Sequence, residues 1–426
     1  MEKVVFEQLK EELYHETLSN GLQVYILPKQ GFNKTYATFT TKYGSIDNRF
    51  VPLNGDEPVE VPDGIAHFLE HKLFEKEHED VFQQFSKQGA SANAFTSFTR
   101  TAYLFSSTSN VEQNLETLLD FVQAPYFTEK TVEKEKGIIG QEITMYDDNA
   151  DWRLYFGVIQ NMYKEHPVKI DIAGTVESIA KITKDLLYTC YETFYHPSNM
   201  LLFVVGPIDP ENIMNQIRDN QAKKDYQAQA PIQRYFDEEP QQVAEKLQVL
   251  KMTVQSSKCL VGLKVANPNK SGEGLLRSEL STNVLLDMLF GKSSKNYDTL
   301  YNEGLIDDTF SFDYTEELGF GFGIIGGDTP QPDQLAETLK KMLMSYNDQL
   351  SEEYLERVKK KKIGSFLRAL NSPEFIANQF TRYSFNEMNM FEVVKVLESL
   401  TLEDIKAGAA ALIDEERMTV CQVVPK

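Results

Sequence analysis

Two stretches of the chain carry the same layout at a fixed distance. In the first, Thr183-Lys184-Asp185-Leu186-Leu187 leads into the apolar run Asn199-Met200-Leu201-Leu202-Phe203-Val204-Val205. In the second, Thr401-Leu402-Glu403-Asp404-Ile405 leads through an Ala-rich helix into Arg417-Met418-Thr419-Val420-Cys421-Gln422-Val423. Thr401 follows Thr183 by 218 residues and Met418 follows Met200 by the same 218, so the segments align without a gap. A helix-then-strand unit repeated at that distance predicts two similar α+β halves, each burying its own apolar strand. The polar stretch from about Asp219 to Glu245, which includes Gln221-Ala222-Lys223-Lys224-Asp225-Tyr226, is the expected join. The expected division is a first half at 1–225, a linker at 226–245 and a second half at 246–426.

Local signals fill in the first half. Gly21-Leu22-Gln23-Val24-Tyr25-Ile26-Leu27-Pro28 follows a Ser-Asn-Gly turn signal, and Thr35 to Tyr43 is rich in β-branched and aromatic residues, so both read as strands. A loop from Asn48 to Gly64 precedes a helical stretch. Ala92 to Ser107 is strand-like, and leucines at 115, 118 and 119 mark the helix after it. A long helical block runs from about Glu129 to Met162, ending in an aromatic patch around Trp152, Tyr155 and Phe156.

Histidine is scarce, with six in the chain, yet two stand in Gly64-Ile65-Ala66-His67-Phe68-Leu69-Glu70-His71. On a helix, His67 and His71 are one turn apart and share a face, so both imidazoles can reach one ion. Glu70 lies close to that face, near enough to contact a metal-bound water. This order is the inverted zinc-peptidase motif, in which the glutamate is the base and not a ligand. A catalytic Zn2+ needs three protein ligands and one open position. Candidates for the third lie in Glu135-Lys136-Gly137-Ile138-Ile139-Gly140-Gln141-Glu142. Glu135 and Glu142 are seven apart, two helical turns, and project from one face; one can bind metal while the other holds a ligand from behind. Spacing does not choose between them, and the bland alternative for both is a solvated helix face.

Composition narrows the partners. A formal charge of −21 repels phosphate backbones and anionic lipid, so nucleic acid and membrane surfaces are excluded as expected partners. No apolar run approaches the roughly 18 residues that span a bilayer. Met1-Glu2-Lys3-Val4-Val5-Phe6-Glu7 lacks the basic-then-apolar order of a signal peptide, and the expected location is cytoplasmic. Cys190, Cys259 and Cys421 form no metal or redox spacing and read as buried thiols.

Together these residues resemble the insulinase/pitrilysin family of zinc metallopeptidases, in particular its mitochondrial processing peptidase-like bacterial branch. The likeness runs through most of the chain in order. Ser19-Asn20-Gly21-Leu22 and Gly44-Ser45-Ile46-Asp47 look like the family's opening strands, and Gly64 to His71 matches its zinc helix. Asn93-Ala94-Phe95-Thr96 with Thr101-Ala102-Tyr103, and His196-Pro197-Ser198-Asn199-Met200, are further matches. By resemblance, Glu142 is the third ligand, Glu135 the supporting acid and Glu70 the catalytic base, with one Zn2+ per chain. The family's Asn-Ala strand is a sheet edge to which substrate adds as an extra strand, which assigns substrate binding to Asn93 and Ala94. The implied fold is two homologous α+β halves, each a mainly antiparallel sheet with helices packed on one face. With no histidine after His196, the second half is a paired, non-metal half.

One departure stands out. Active relatives carry an arginine and a tyrosine in a second-half segment that meets the substrate. The similar stretch here is Leu300-Tyr301-Asn302-Glu303-Gly304-Leu305-Ile306-Asp307, with Tyr301 at the arginine position and Asp307 at the tyrosine position. Neither can do the same job: Tyr301 has no guanidinium to fork onto a carbonyl, and a carboxylate at Asp307 would repel a developing oxyanion. The resemblance therefore implies an endopeptidase acting on peptides or precursor segments as the metal-bearing subunit of a heterodimer with a homologous chain, or as a homodimer. The competing expectation is a non-catalytic assembly subunit that retains zinc; an intact Glu70 argues against it, since a structural site has no use for a base.

Overall fold

The computed structural model describes residues 1–77 and 80–426; His78 lies outside the described residues. The first half begins with strands β1 (Glu2–Phe6), β2 (Glu11–Thr17), β3 (Gln23–Pro28) and β4 (Thr35–Thr41), then the short ribbon β5 (Arg49–Phe50) and β6 (Val59–Glu60). Helices α1 (Ile65–Phe74) and α2 (Val81–Lys87) lead to the hairpin β7 (Ala90–Thr96) and β8 (Thr101–Ser107). The strand-like Ala92–Ser107 is thus two strands, turned at Ser97, whose amide donates to the Arg100 carbonyl at 2.8 Å. Next come α3 (Val111–Val122), α4 (Glu129–Asp147), α5 (Ala150–Met162), α6 (Val176–Ile179), α7 (Lys184–Phe194), β9 (Met200–Gly206) and α8 (Pro210–Gln221). The expected helical block from Glu129 is broken where Asn149 caps α5, its side chain accepting from the Asp151 and Trp152 amides.

The second half repeats this plan. It runs β10 (Leu247–Met252), β11 (Lys258–Lys264), α9 (Gly272–Phe290), α10 (Lys295–Asn302), β12 (Ser311–Glu317), β13 (Phe320–Asp328) and α11 (Pro332–Met344). It closes with α12 (Glu352–Ala369), α13 (Pro373–Phe385), α14 (Val393–Ser399), α15 (Leu402–Leu412) and β14 (Met418–Pro425). The first sheet is ordered β1-β2-β3-β9-β4-β8-β7 and the second β10-β14-β11-β13-β12. Strand for strand, the second sheet is the β3-to-β7 portion of the first. In each, one pair is parallel, β3 with β9 and β10 with β14, and every other pair is antiparallel.

The aligned segments explain themselves physically. Thr183 caps α7 through the Leu186 amide, and Thr401 caps α15 through the Asp404 amide. The strands that follow, β9 and β14, are central and almost wholly buried, which is why both are continuous apolar runs.

The chain forms two compact units that do not follow the sequence halves in two segments. Unit one comprises 1–143, 170–236 and 370–385; unit two comprises 144–169, 237–369 and 386–426. The equivalent helices α5 and α13 are therefore exchanged. In unit one, Phe380 of α13 packs against Phe203 and Tyr25 of the sheet. In unit two, α5 lies so close to its sheet that a Cβ on Gly157 would meet the Cys421 sulfur at 2.7 Å. The polar join is also pinned. Arg234 donates to the buried Asp47 at 2.8 Å within unit one. Within unit two, Glu239 accepts the Lys164, Glu165 and His166 amides and the Lys264 ammonium. The three cysteines are buried and unpaired. Among the described residues no helix is long and apolar enough to cross a membrane.

Candidate metal centre

The centre is built on α1 in unit one. Nine of its ten residues are buried, so the helix is held on nearly all sides and its polar side chains have fixed positions. Gly64 starts the helix at φ 86°, and a Cβ there would run into the Ala173 carbonyl oxygen. The backbone thus needs glycine for conformation and for close approach.

His67 and His71 project from one face with ring centroids 4.6 Å apart. Glu142, on α4, comes between them. Its Oε1 lies 3.7 Å from His67 Nε2 and its Oε2 lies 3.6 Å from His71 Nε2. Ligand atoms of the three residues all lie within 4.8 Å of one another, and among the described residues no other group of three or more His, Cys, Asp or Glu meets that condition. These separations exceed a hydrogen bond. They are close to the ~3.3 Å that separates ligands bound at 2.0–2.1 Å to a tetrahedral ion. Two imidazoles and a carboxylate also match the donor set of a hydrolytic zinc, so the residues fit a Zn2+.

Glu135 sits on the far side of His71, its Oε1 3.1 Å from Nδ1. With Nδ1 turned to Glu135, the other ring nitrogen, Nε2, is the one that faces Glu142. Seven-residue spacing put both acids on one face; the structure separates their places. His67 Nδ1 is buried and has no hydrogen-bond partner among the described residues.

The electrostatics suit neutral imidazole at one ligand and shared charge at the other. Burial, then the neighbouring His71, pushes the His67 pKa down to about 4. Burial also pulls His71 down, but the Glu135 hydrogen bond and the Glu70, Glu142 and Glu135 charges outweigh it and raise its pKa. Burial raises Glu70, against the opposing effect of a hydrogen bond from Thr96. For Glu135 the burial penalty is overcome by His71, and its pKa is lowered.

Thr96 was not singled out from sequence. Its Oγ1 donates to Glu70 Oε2 at 2.7 Å, tying the glutamate on α1 to the end of β7. Its only signal was its place beside Asn93-Ala94-Phe95. A second unforeseen feature is Lys72, fully buried and paired with Glu75.

β7 is an edge strand of the first sheet. Asn93 is exposed on it, and its Oδ1 accepts from the Ala94 amide at 2.9 Å. In unit two, Tyr301 lies in the last turn of α10 with 55% exposure and a ring parallel to that of Tyr297. Asp307 is turned onto its own loop, accepting from the Thr309 amide and hydroxyl at 2.9 and 2.6 Å.

Comparison with known proteins places this geometry in context. Residues 57–176 match the family described as Insulinase (Peptidase family M16), and residues 181–362 match the one described as Peptidase M16 inactive domain. A Bacillus subtilis (strain 168) protein named uncharacterized zinc protease YmfH is 70% identical over 99% of this chain and 99% of its own. The crystal structure of an M16-like peptidase from Alicyclobacillus acidocaldarius superposes with a TM-score of 0.94 at 42% identity, covering 98% of this chain and 99% of that one. A Helicobacter pylori protease shares the fold at a TM-score of 0.83 and 19% identity, over 97% and 100% of the two chains.

Proposed function

The chain belongs to peptidase family M16, the insulinase family, and from that premise we propose that it is a zinc-dependent endopeptidase hydrolysing peptides or precursor segments. The observation that carries the reading is the convergence of His67, His71 and Glu142, with the Glu70 carboxylate fixed beside them by Thr96. When bound there, zinc would acidify a water and polarise the scissile carbonyl. Glu70 accepts the water proton and delivers it to the leaving amine. Glu135 holds His71 in register from behind. The open side of β7 at Asn93 and Ala94 binds the substrate main chain as an added strand, which gives affinity with little side-chain preference. A cytoplasmic location is supported by three buried, unpaired cysteines, which suit a reducing compartment.

The metal-bearing chain acts with a different, homologous subunit that contributes an arginine and a tyrosine. What supports this is the pair of residues at the corresponding positions: Tyr301 offers no guanidinium, and Asp307 is committed to its own turn. The second reading, a non-catalytic assembly subunit, draws on the match of 181–362 to an inactive domain. That match covers none of His67, Glu70, His71 and Glu142, which lie in the segment matched to the insulinase domain.

Cleavage of a quenched mixed-sequence peptide pool tests the reading. Wild type, supplied with its co-purifying homologue, should cleave in a chelator-sensitive manner, and Glu70→Gln under the same conditions should lose activity by about 10³-fold or more. Equal activity of the two proteins would defeat the assignment of Glu70. Full activity of the isolated chain would remove the need for a second subunit while leaving the peptidase reading intact.

A further inference from the structure

We propose that Asn93 is a removable cap on the β7 edge: its side chain holds the Ala94 N–H, and a peptide strand adding to β7 must displace it. The inference rests on the reading of β7 as the substrate strand and adds what controls access to that strand.

The two large sheets end in four edge strands, β1, β7, β10 and β12. An unpaired edge invites pairing with other chains, and charged side chains, prolines and bulges are the usual deterrents. β1 carries Glu2 and Lys3, β10 carries Lys251 and β12 carries Asp313, all of them exposed. β7 reads Ala90-Ser91-Ala92-Asn93-Ala94-Phe95-Thr96, with neither a charge nor a proline. Its pairing with β8 runs unbroken from Ala90 opposite Ser107 to Thr96 opposite Thr101, so no bulge turns it away. The edge that ends against Glu70 is thus the one left fit to accept a strand.

The main chain shows which groups an added strand would use. Ser97 N donates to Arg100 O at 2.8 Å, and these two residues continue the β7–β8 register as a hydrogen-bonded pair. By alternation Phe95 and Asn93 turn their N–H and C=O groups toward β8, and Thr96, Ala94 and Ala92 turn theirs to the open side. The Ala94 N–H is therefore a docking group. It is already engaged, because Asn93 Oδ1 accepts from it at 2.9 Å. A short amide side chain that bonds to a neighbouring main-chain N–H suits this place, since it covers the donor without a charge or a kink.

The cap can leave without disturbing the metal centre. Side chains alternate along a strand, so Asn93 lies on the face opposite Thr96, whose hydroxyl reaches Glu70. Asn93 is exposed, and nothing buried has to move when its side chain rotates. One such hydrogen bond shifts an equilibrium by only about fivefold, enough to bias binding and too little to prevent it. Removing the cap should therefore act on peptide binding and leave the chemical step alone.

Amide hydrogen exchange resolved to single residues tests the cap, and steady-state cleavage of the quenched peptide pool, with the co-purifying homologue present, tests its displacement. In Asn93→Ala, exchange at Ala94 should rise about fivefold after correction for the sequence change, while Ala92 stays as in wild type. Apparent KM should fall about fivefold with kcat close to wild type. Ser91→Ala, a truncation on the same exposed face, should change neither. Unaltered exchange at Ala94 would overturn the proposal, and so would a KM that holds or rises, a rise meaning that Asn93 serves the bound peptide instead. Absence of cleavage by wild type would defeat the peptidase reading, leaving the exchange comparison to decide whether Asn93 covers the amide.

Discussion

At the residue scale, the structure gives distinct places to side chains that spacing alone made equivalent. Glu135 and Glu142 share a helix face, and no periodicity argument chooses between them; the structure sets Glu142 between two Nε2 atoms and Glu135 behind one ring at Nδ1. Thr96 was invisible to motif reasoning because its role depends on β7 ending beside α1, a tertiary fact. Its hydrogen bond to Glu70 gives a prediction. Thr96→Val keeps the shape but removes the donor, so kcat should fall about tenfold while bound zinc and KM stay close to wild type. Steady-state kinetics with metal analysis checks it; an unchanged kcat would show that Glu70 is positioned by other contacts.

At the element scale, α1 depends on how it begins. Gly64 combines a positive φ with a backbone neighbour that a Cβ would strike, and neither can be relieved by a flexible side chain. Gly64→Ala should therefore destabilise the fold by about 2 kcal/mol or more and loosen metal binding with it, as urea unfolding and competitive chelation would register. A variant as stable as wild type would mean that the 173–174 loop yields. The elements themselves were largely legible in the sequence. Thr183 and Thr401 announce capped helices, and the apolar runs after them are the central strands. The break between α4 and α5 was missed although Asn149 is a good cap, because apolar and charged residues continue in helical order on both sides of it.

At the scale of the whole molecule, the 218-residue repeat predicted two matching sheets but not the exchange of α5 and α13. A helix's pattern shows that it has an apolar face and says nothing about which sheet receives it. The join at 226–245 looked like a tether by composition, yet Arg234 and Glu239 give it fixed attachments. Nearby His166 lends unit two a pH dependence. Burial pushes its pKa from 6.5 down to about 4 in the folded chain. The unfolded chain therefore binds more protons between those values, and stability rises with pH across that window. This contribution, at most about 3 kcal/mol, is complete above pH 6.5 and lost progressively as pH falls toward 4. His166→Asn keeps an acceptor near the Val168 amide but cannot titrate, so its urea midpoint should fall less steeply over that interval. Parallel profiles for the two proteins would exclude His166 as the source.

The central claim is that His67, His71 and Glu142 are the metal ligands and Glu135 acts only through His71. Zinc content of purified wild type, Glu142→Gln and Glu135→Gln, measured after dialysis against a graded chelator series, tests it most directly. The account predicts one zinc per chain in wild type and none held by Glu142→Gln. It predicts for Glu135→Gln one zinc bound some 10–100-fold more weakly. Full retention by Glu142→Gln, or complete loss confined to Glu135→Gln, would contradict it.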